Sequence, residues 1–284
     1  MNGNADNTHD PWFQKMVSSL DNPALRSPHG DHMPGFPPEQ MQRNTTSLSG
    51  REALQQAYGF YRDIHAALVS EGATIEDSAK ILDFGIGWGR IARFFLQDVP
   101  LRNIYGIDVD AEFVNISRQL FNSGNFDVCE PMPPTRYGDG MFDLITAYSV
   151  FSHLSEPALI AWMREFARVL RPGGCVAFTT RGESFFDYCD WAHQQTGQTE
   201  GYLKALGQLF PDIESARRRY RDGQLVFATS LGVSGGGVRN ESFYGETFIP
   251  RPFVEMHFGD LFVIAAYDPR PANYDQALFV LRRR

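Results

Sequence analysis

Apolar residues recur at helical spacing through "SGREALQQAYGFYRDIHAALVSEG", where Leu54, Tyr58, Tyr61, Ile64 and Leu68 fall on one stripe. Ser49 and Glu52 have capping-box spacing and Gly72 suits a carboxyl-terminal cap, so the stretch predicts a packed amphipathic helix. Its tyrosines read as core or lid residues, with ligand contact the alternative. Beyond it, short apolar runs alternate with amphipathic ones. Ile81–Phe84 predicts a strand, Arg90–Leu96 a helix, Asn103–Ile107 a strand, and Ala111–Phe121 a helix capped by Asp110. After a proline-rich loop, Phe142–Ala147 predicts a strand. Glu156–Leu170 predicts a helix with Ser155 as its cap and Pro157 in its first turn. "RPGG" then reads as a turn before a buried strand at Cys175–Thr180.

Such alternation implies right-handed βαβ units and a parallel, doubly wound α/β sheet. The tail departs from it. Leu261–Tyr267 and Ala277–Arg283 are apolar runs joined by "DPRPANYDQ" with no helix between, so they should pair antiparallel. Two further regions lack the alternation. Residues 1–48, rich in Asn, Pro, Gly and His, read as an irregular amino-terminal arm. Residues 182–252 carry aromatic and polar residues, the patch "ESARRRYRDG" and the run "SGGGVRNESFYGE", and read as an inserted cap. Arginines 217, 218, 219 and 221 read as a solvated helix face, or else as a means of capturing an anionic substrate. The division is therefore an arm (1–48), a ligand-binding core with its leading helix (49–181), the cap (182–252) and terminal strands that complete the core sheet (253–284).

Composition narrows the function. The chain has 284 residues, 43% of them hydrophobic, and a formal charge of −8, so a core can be buried but the basic surface that nucleic acid requires is missing. No run of about twenty apolar residues and no signal-peptide core is found, and the three cysteines, Cys129, Cys175 and Cys189, have no metal-ligand spacing. The expectation is a cytoplasmic protein without membrane insertion, nucleic-acid partner or metal. His9, His29 and His32 lie in the polar arm and receive no role.

The chemistry centres on "KILDFGIGWGRIARFF", where a strand runs through Gly85, Gly87 and Gly89 into a helix. In open α/β sheets the first strand-to-helix turn is where ligands bind. A dinucleotide fingerprint needs a third glycine where this chain has Arg90, which weakens the pyrophosphate reading. Asp83, before the loop, would repel a pyrophosphate, yet suits the loop's own backbone or a ligand ammonium group. Asp108, ending "IYGID", suits the two hydroxyls of a ribose. A ligand with a ribose, a positive centre and an ammonium group fits both acids better than NAD does.

Together "ILDFGIGWGR", "YGIDVD", "FDLITAYSVFSHL" and "FARVLRPGGCVAFTT" resemble the ordered motifs of class I S-adenosylmethionine-dependent methyltransferases over Ile81 to about Thr180. The resemblance implies a Rossmann-like, mostly parallel seven-stranded sheet with an antiparallel terminal hairpin, and S-adenosyl-L-methionine as cofactor. It places the Gly85–Gly89 loop, with Ile86, over the methionine part and Asp83 beneath it. Asp108 would hold the ribose and Val109 would flank adenine. Cys129 or Glu130 stands where the family often has an acid for the adenine amine, so that contact falls to backbone. Tyr148 would line the junction of cofactor and acceptor.

The acceptor is narrowed by absence and by a weaker likeness. The Asn/Asp-Pro-Pro-aromatic motif of nitrogen methyltransferases is replaced by "AYSVFSHL", and no Pro-Cys pair suits attack on a pyrimidine. "VFSHLSEPALIAWMREFARVLRPGG", "PPEQ" and "YDQALFVLRR" resemble a bacterial subgroup linked with polysaccharide and cell-envelope sugar modification. That likeness implies O-methylation of a sugar or other small polar acceptor; another small metabolite, a protein substrate and a non-catalytic role are the alternatives. Cap aromatics Phe185, Phe186, Tyr188, Trp191, Tyr202, Phe243 and Tyr244 would stack on sugar faces or form the cap's core. An alcohol needs its proton removed during transfer. His153 is the first candidate base, with Glu183, Asp187 and His257 as alternatives. Some quinone O-methyltransferases carry Glu-His at this point and use it with a metal; Ser152-His153 stands here.

Overall fold

Each apolar run read as a strand is one, in a computed structural model that describes residues 9–195, 197, 200–234 and 236–284. The strands are β1 (Ile81–Phe84), β2 (Ile104–Asp108), β3 (Phe126–Val128), β4 (Phe142–Ala147), β5 (Leu170–Thr180), β6 (Val226–Ala228), β7 (Glu246–Phe248), β8 (Phe262–Asp268) and β9 (Ala277–Arg283). Seven form one sheet in the order β3-β2-β1-β4-β5-β9-β8, and β6 pairs with β7 separately. Strand β1 is parallel to β2 and β4, and β2 to β3. The terminal strand β9 is antiparallel to β5 and β8, as the helix-free connection predicts. Among the described residues, no helix is long and apolar enough to cross a membrane.

The chain forms two compact units. One comprises the chain through Cys129 with Met141–Tyr148 and Ala272–Tyr274. It holds α1 (Pro11–Ser18), α2 (Glu39–Thr46), α3 (Gly50–Ser70), α4 (Ala111–Phe121) and the strands β1 to β4. The arm is thus not irregular throughout. Asp10 accepts the backbone N–H of Trp12 and Phe13, and Pro11 opens the helix, so a local start signal overrides the loop-like composition. Trp12, Phe13 and Met16 are buried, and the Trp12 indole donates to the Phe94 carbonyl at 3.0 Å. Helix α3 occupies its predicted place, but Ser49 makes no side-chain capping bond. The segment expected as a helix from Arg90 is a 3₁₀ helix at Ala92–Gln97. Helix α4 and strand β4 have their predicted limits.

The other unit comprises Glu130–Gly140, Ser149–Pro271 and Asp275–Arg284. It holds α5 (Glu156–Val169), α6 (Phe185–Gln194), α7 (Gly201–Gly207), α8 (Ile213–Arg221), α9 (Leu231–Ser234), α10 (Arg251–Phe258) and β5 to β9. Strand β5 starts at Leu170, directly after α5, so "RPGG" extends the strand instead of forming a separate turn. Leu170 is already extended at φ −71° and ψ 142°, and Pro172 cannot continue a helix. The segment read as a cap has its own apolar cluster, in which Phe186 stacks on Phe248 at 4.0 Å with Cys189, Leu206 and Tyr220 around it.

Candidate functional site

The order of the sheet reverses between β1 and β4, and the glycine loop leaves the carboxyl end of β1 at that point. Gly85 and Ile86 donate their backbone N–H groups to the Ile107 carbonyl at 2.8 and 3.0 Å, which ties the loop to β2. At the tip, Gly87 donates to Asp108 Oδ2 at 3.0 Å while its carbonyl accepts from the Ser117 hydroxyl at 2.7 Å. Gly87 has φ +52°, and a Cβ there would meet nothing within 4 Å, so the tip borders open space. Gly89 has φ +76° for a different reason: a Cβ there would lie 2.2 Å from the Phe121 ring.

The predicted residues divide by what they touch. Asp83 is 2% exposed, and its carboxylate accepts from the Thr146 hydroxyl at 2.8 Å and the Ala92 N–H at 3.1 Å. Burial pushes it up to about 7, against the lowering effects of those two bonds and of Arg90. Of the two uses read for Asp83, the bonds it makes here are to the chain. Asp108 is half-buried; its Oδ1 accepts the Asp110 N–H at 3.0 Å, so the acid bridges its own turn and the loop tip. Val109 is half-buried beside it, and Cys129 donates its backbone N–H to the Asp108 carbonyl at 2.9 Å. The Ile86 side chain is buried and fills the space where a Cβ on Gly106 would fall.

Tyr148 is buried after β4. The Arg90 guanidinium lies 4.8 Å over its ring, and Phe60 and Tyr274 meet it edge-on at 5.1 and 5.6 Å. Arg90, standing where a dinucleotide fingerprint would have its third glycine, reaches α3 by donating to Gln56 Oε1 at 2.7 Å and the Ala53 carbonyl at 3.3 Å. Phe36 and Arg93 flank Trp88. Arg93 donates to the Gly89 and Gly35 carbonyls, clamping the arm to the loop. No local pattern identifies these arm contacts.

In the other unit, His153 Nδ1 lies 2.7 Å from the Gly245 carbonyl. A carbonyl can only accept, so Nδ1 carries the proton and Nε2 the lone pair. Burial lowers the imidazole's proton affinity, with Glu246 opposing and Arg181 and Arg239 adding to the effect. The other candidate bases are not gathered around it. Glu183 pairs with Arg221, Asp187 with Arg217, and His257 is exposed and stacks on Phe253. Those pairs, with Arg218 near Asp212, leave the α8 arginines balanced by acids or, for Arg219, bonded to Gln224. Of the cap aromatics, Phe185, Phe186 and Phe243 are buried, whereas Tyr188 and Trp191 are 42% and 46% exposed and stack at 5.4 Å. Among the described residues, no group of three or more His, Cys, Asp or Glu is placed to hold a metal ion.

A family model described as a methyltransferase domain matches residues 81–174. The demethylmenaquinone methyltransferase of Chlorobaculum parvum is 29% identical over 118 residues, covering 41% of this chain and 46% of that protein. Methyltransferase GfsG of Streptomyces halstedii is 26% identical over 149 residues, covering 50% and 48%. The chain therefore spans less than half the length of these curated relatives. A solved S-adenosylmethionine-dependent methyltransferase from Mesorhizobium loti shares the fold, with a TM-score of 0.51, 13% identity, and coverage of 79% of this chain and 98% of that one. Residues 81–174 thus match a methyltransferase domain, and the chain shares the fold of a solved S-adenosylmethionine-dependent methyltransferase. The residues present suit S-adenosylmethionine: an open glycine tip and a half-buried acid at the end of β2 accommodate a cationic, ribose-bearing molecule.

Proposed function

We propose that the protein methylates a hydroxyl of a sugar or other small polar acceptor, with His153 as the base. The observation that carries this reading is the fixed tautomer of His153, whose Nδ1 is committed to the Gly245 carbonyl while Nε2 keeps a lone pair. Bound S-adenosylmethionine supplies a methyl group on a positively charged sulfur that leaves as a neutral thioether. What remains for the chain is to hold the acceptor in line, exclude water and take its proton. Orientation alone is worth roughly 7–11 kcal/mol of barrier, and a positioned base adds roughly 10²–10⁴-fold.

In the cofactor half, Asp108 would accept from ribose hydroxyls while fixing Gly87, and Asp83 would support the loop from beneath. Gly85, Gly87 and Gly89 would pass along the methionine part, Val109 and Cys129 would border adenine, and Tyr148 would close the acceptor side. A sugar ring suits the exposed Tyr188–Trp191 stack. The same stack also suits a planar ring, which is the second reading, since one relative's name refers to demethylmenaquinone. Glu183 is retained as an alternative base that would first have to leave Arg221.

The test is incubation with methyl-labelled S-adenosylmethionine and, separately, soluble sugars, an envelope polysaccharide fraction and a quinone. Label in an alkali-stable ether on the sugar is the expected result. Label in the quinone alone would replace the sugar by the planar acceptor. Label on an amine nitrogen would overturn O-methylation.

A further inference from the structure

Glu246 has no exposed surface, yet three polar side chains converge on it. Arg181 Nε donates to Oε2 at 2.7 Å, the Tyr202 hydroxyl donates to Oε1 at 2.8 Å, and His153 Nδ1 lies 3.7 Å from Oε1. Burial works against the carboxylate's charge, but Arg181, His153 and Tyr202 hold it below the usual glutamate range. A buried Arg–Glu pair is complete without an imidazole. Here successive residues leading into β7 address one ring nitrogen: the Gly245 carbonyl takes the Nδ1 proton, and the Glu246 carboxylate places negative charge beside it. The Tyr244 ring lies parallel to the imidazole at 4.8 Å and 7°, fixing its plane. The charged groups facing His153 are Glu246 on β7, Arg181 after β5, and Arg239 in the segment before β7; the two arginines oppose a second proton on the ring and Glu246 favours it.

We propose that Glu246, clamped by Arg181 and Tyr202, is a positioning residue that stabilises the imidazolium formed when His153 removes the acceptor's proton. The inference rests on the O-methylation reading above. In that step the acceptor O–H bond breaks and its proton bonds to Nε2. The acceptor oxygen bonds to the methyl carbon, and the electron pair of the broken S–C bond stays on sulfur. Positive charge thus passes from sulfur to the imidazole, 3.7 Å from a carboxylate fixed before substrate arrives. Without Glu246 that charge would form beside Arg181 and Arg239.

The test reads the His153 titration by NMR of the full chain, alongside the pH profile of turnover. Glu246→Gln, which still accepts from Arg181, should lower the His153 pKa. It should move the acidic limb of kcat to lower pH and reduce plateau kcat by part of the roughly 10²–10⁴-fold a base supplies, with KM unchanged. Tyr202→Phe removes the donor on Oε1, concentrates charge on the oxygen nearest Nδ1, and should raise the His153 pKa. This second variant keeps the test decisive if Glu246→Gln does not fold. Opposite shifts in the two variants, each followed by the kcat limb, support the proposal. An unmoved His153 titration in the folded variants overturns the pairing. A moved titration with an unmoved kcat limb overturns its catalytic use and points to failure of His153 as base.

Discussion

Asp108 Oδ2 accepts the Gly87 backbone N–H at 3.0 Å, so the acid that ends β2 fixes the tip of the loop that follows β1. One carboxylate therefore shapes the loop tip, and the proposed function gives it the ribose hydroxyls as well. Asp108→Ala should weaken S-adenosylmethionine binding by about 10- to 100-fold, the equivalent of one charge-assisted hydrogen bond. Asp108→Asn should weaken it less. Equilibrium binding of the cofactor to each variant checks both.

Gly87 and Gly89 both adopt positive φ, but substitutions should separate them. An alanine at Gly89 meets Phe121 at 2.2 Å and should lower stability by about 1–3 kcal/mol. An alanine at Gly87 meets no atom within 4 Å, so its added methyl group enters the space proposed for the cofactor. Gly87→Ala should lose more affinity than stability, and Gly89→Ala the reverse. Thermal unfolding and cofactor titration on the same samples distinguish them.

Asp83 sets a pH dependence of unusual sign. Its carboxyl is raised from 3.8 to about 7 chiefly by burial, so the native state holds the proton that the unfolded chain releases. Stability from this group is fully present below about pH 4 and falls as pH rises towards 7. Asp83→Asn should therefore gain stability relative to the parent chain between pH 5 and 8. Urea midpoints measured across that range check it; a parallel pair of curves would contradict the raised pKa.

The arm is a structural part of its unit. Trp12→Ala removes a buried indole and its bond to the Phe94 carbonyl, and should cost about 3–5 kcal/mol. Chemical denaturation checks it, and a loss below 1 kcal/mol would mean that the arm detaches readily.

The legible parts of this fold are those written in adjacent residues. Helix α4 announces itself by Asp110 and its apolar period, and β4 by an uninterrupted apolar run. The helix-free connection predicts the antiparallel pairing of β8 and β9. In the arm, prolines and histidines obscured α1, although Asp10 followed by Pro11 was a readable start signal. Strand β3 has only three residues and its outer end is exposed, too short a run to outweigh the surrounding loop composition.

The loop and its acids were readable because glycine conformation and strand-end carboxylates are local requirements. Their partners were not. Arg181 meets Glu246 across 65 positions, and Arg93 meets the Gly35 carbonyl across 58, through contacts that tertiary packing alone creates. His153 was visible by its chemistry, but its fixed tautomer depends on the distant Gly245 carbonyl.

Calorimetric titration of the purified chain with S-adenosylmethionine, and separately with NAD, tests the central claim most directly. Saturable binding of S-adenosylmethionine that is lost in Asp108→Ala, with no response to NAD, is the expected result. Tight NAD binding with no response to S-adenosylmethionine would contradict it.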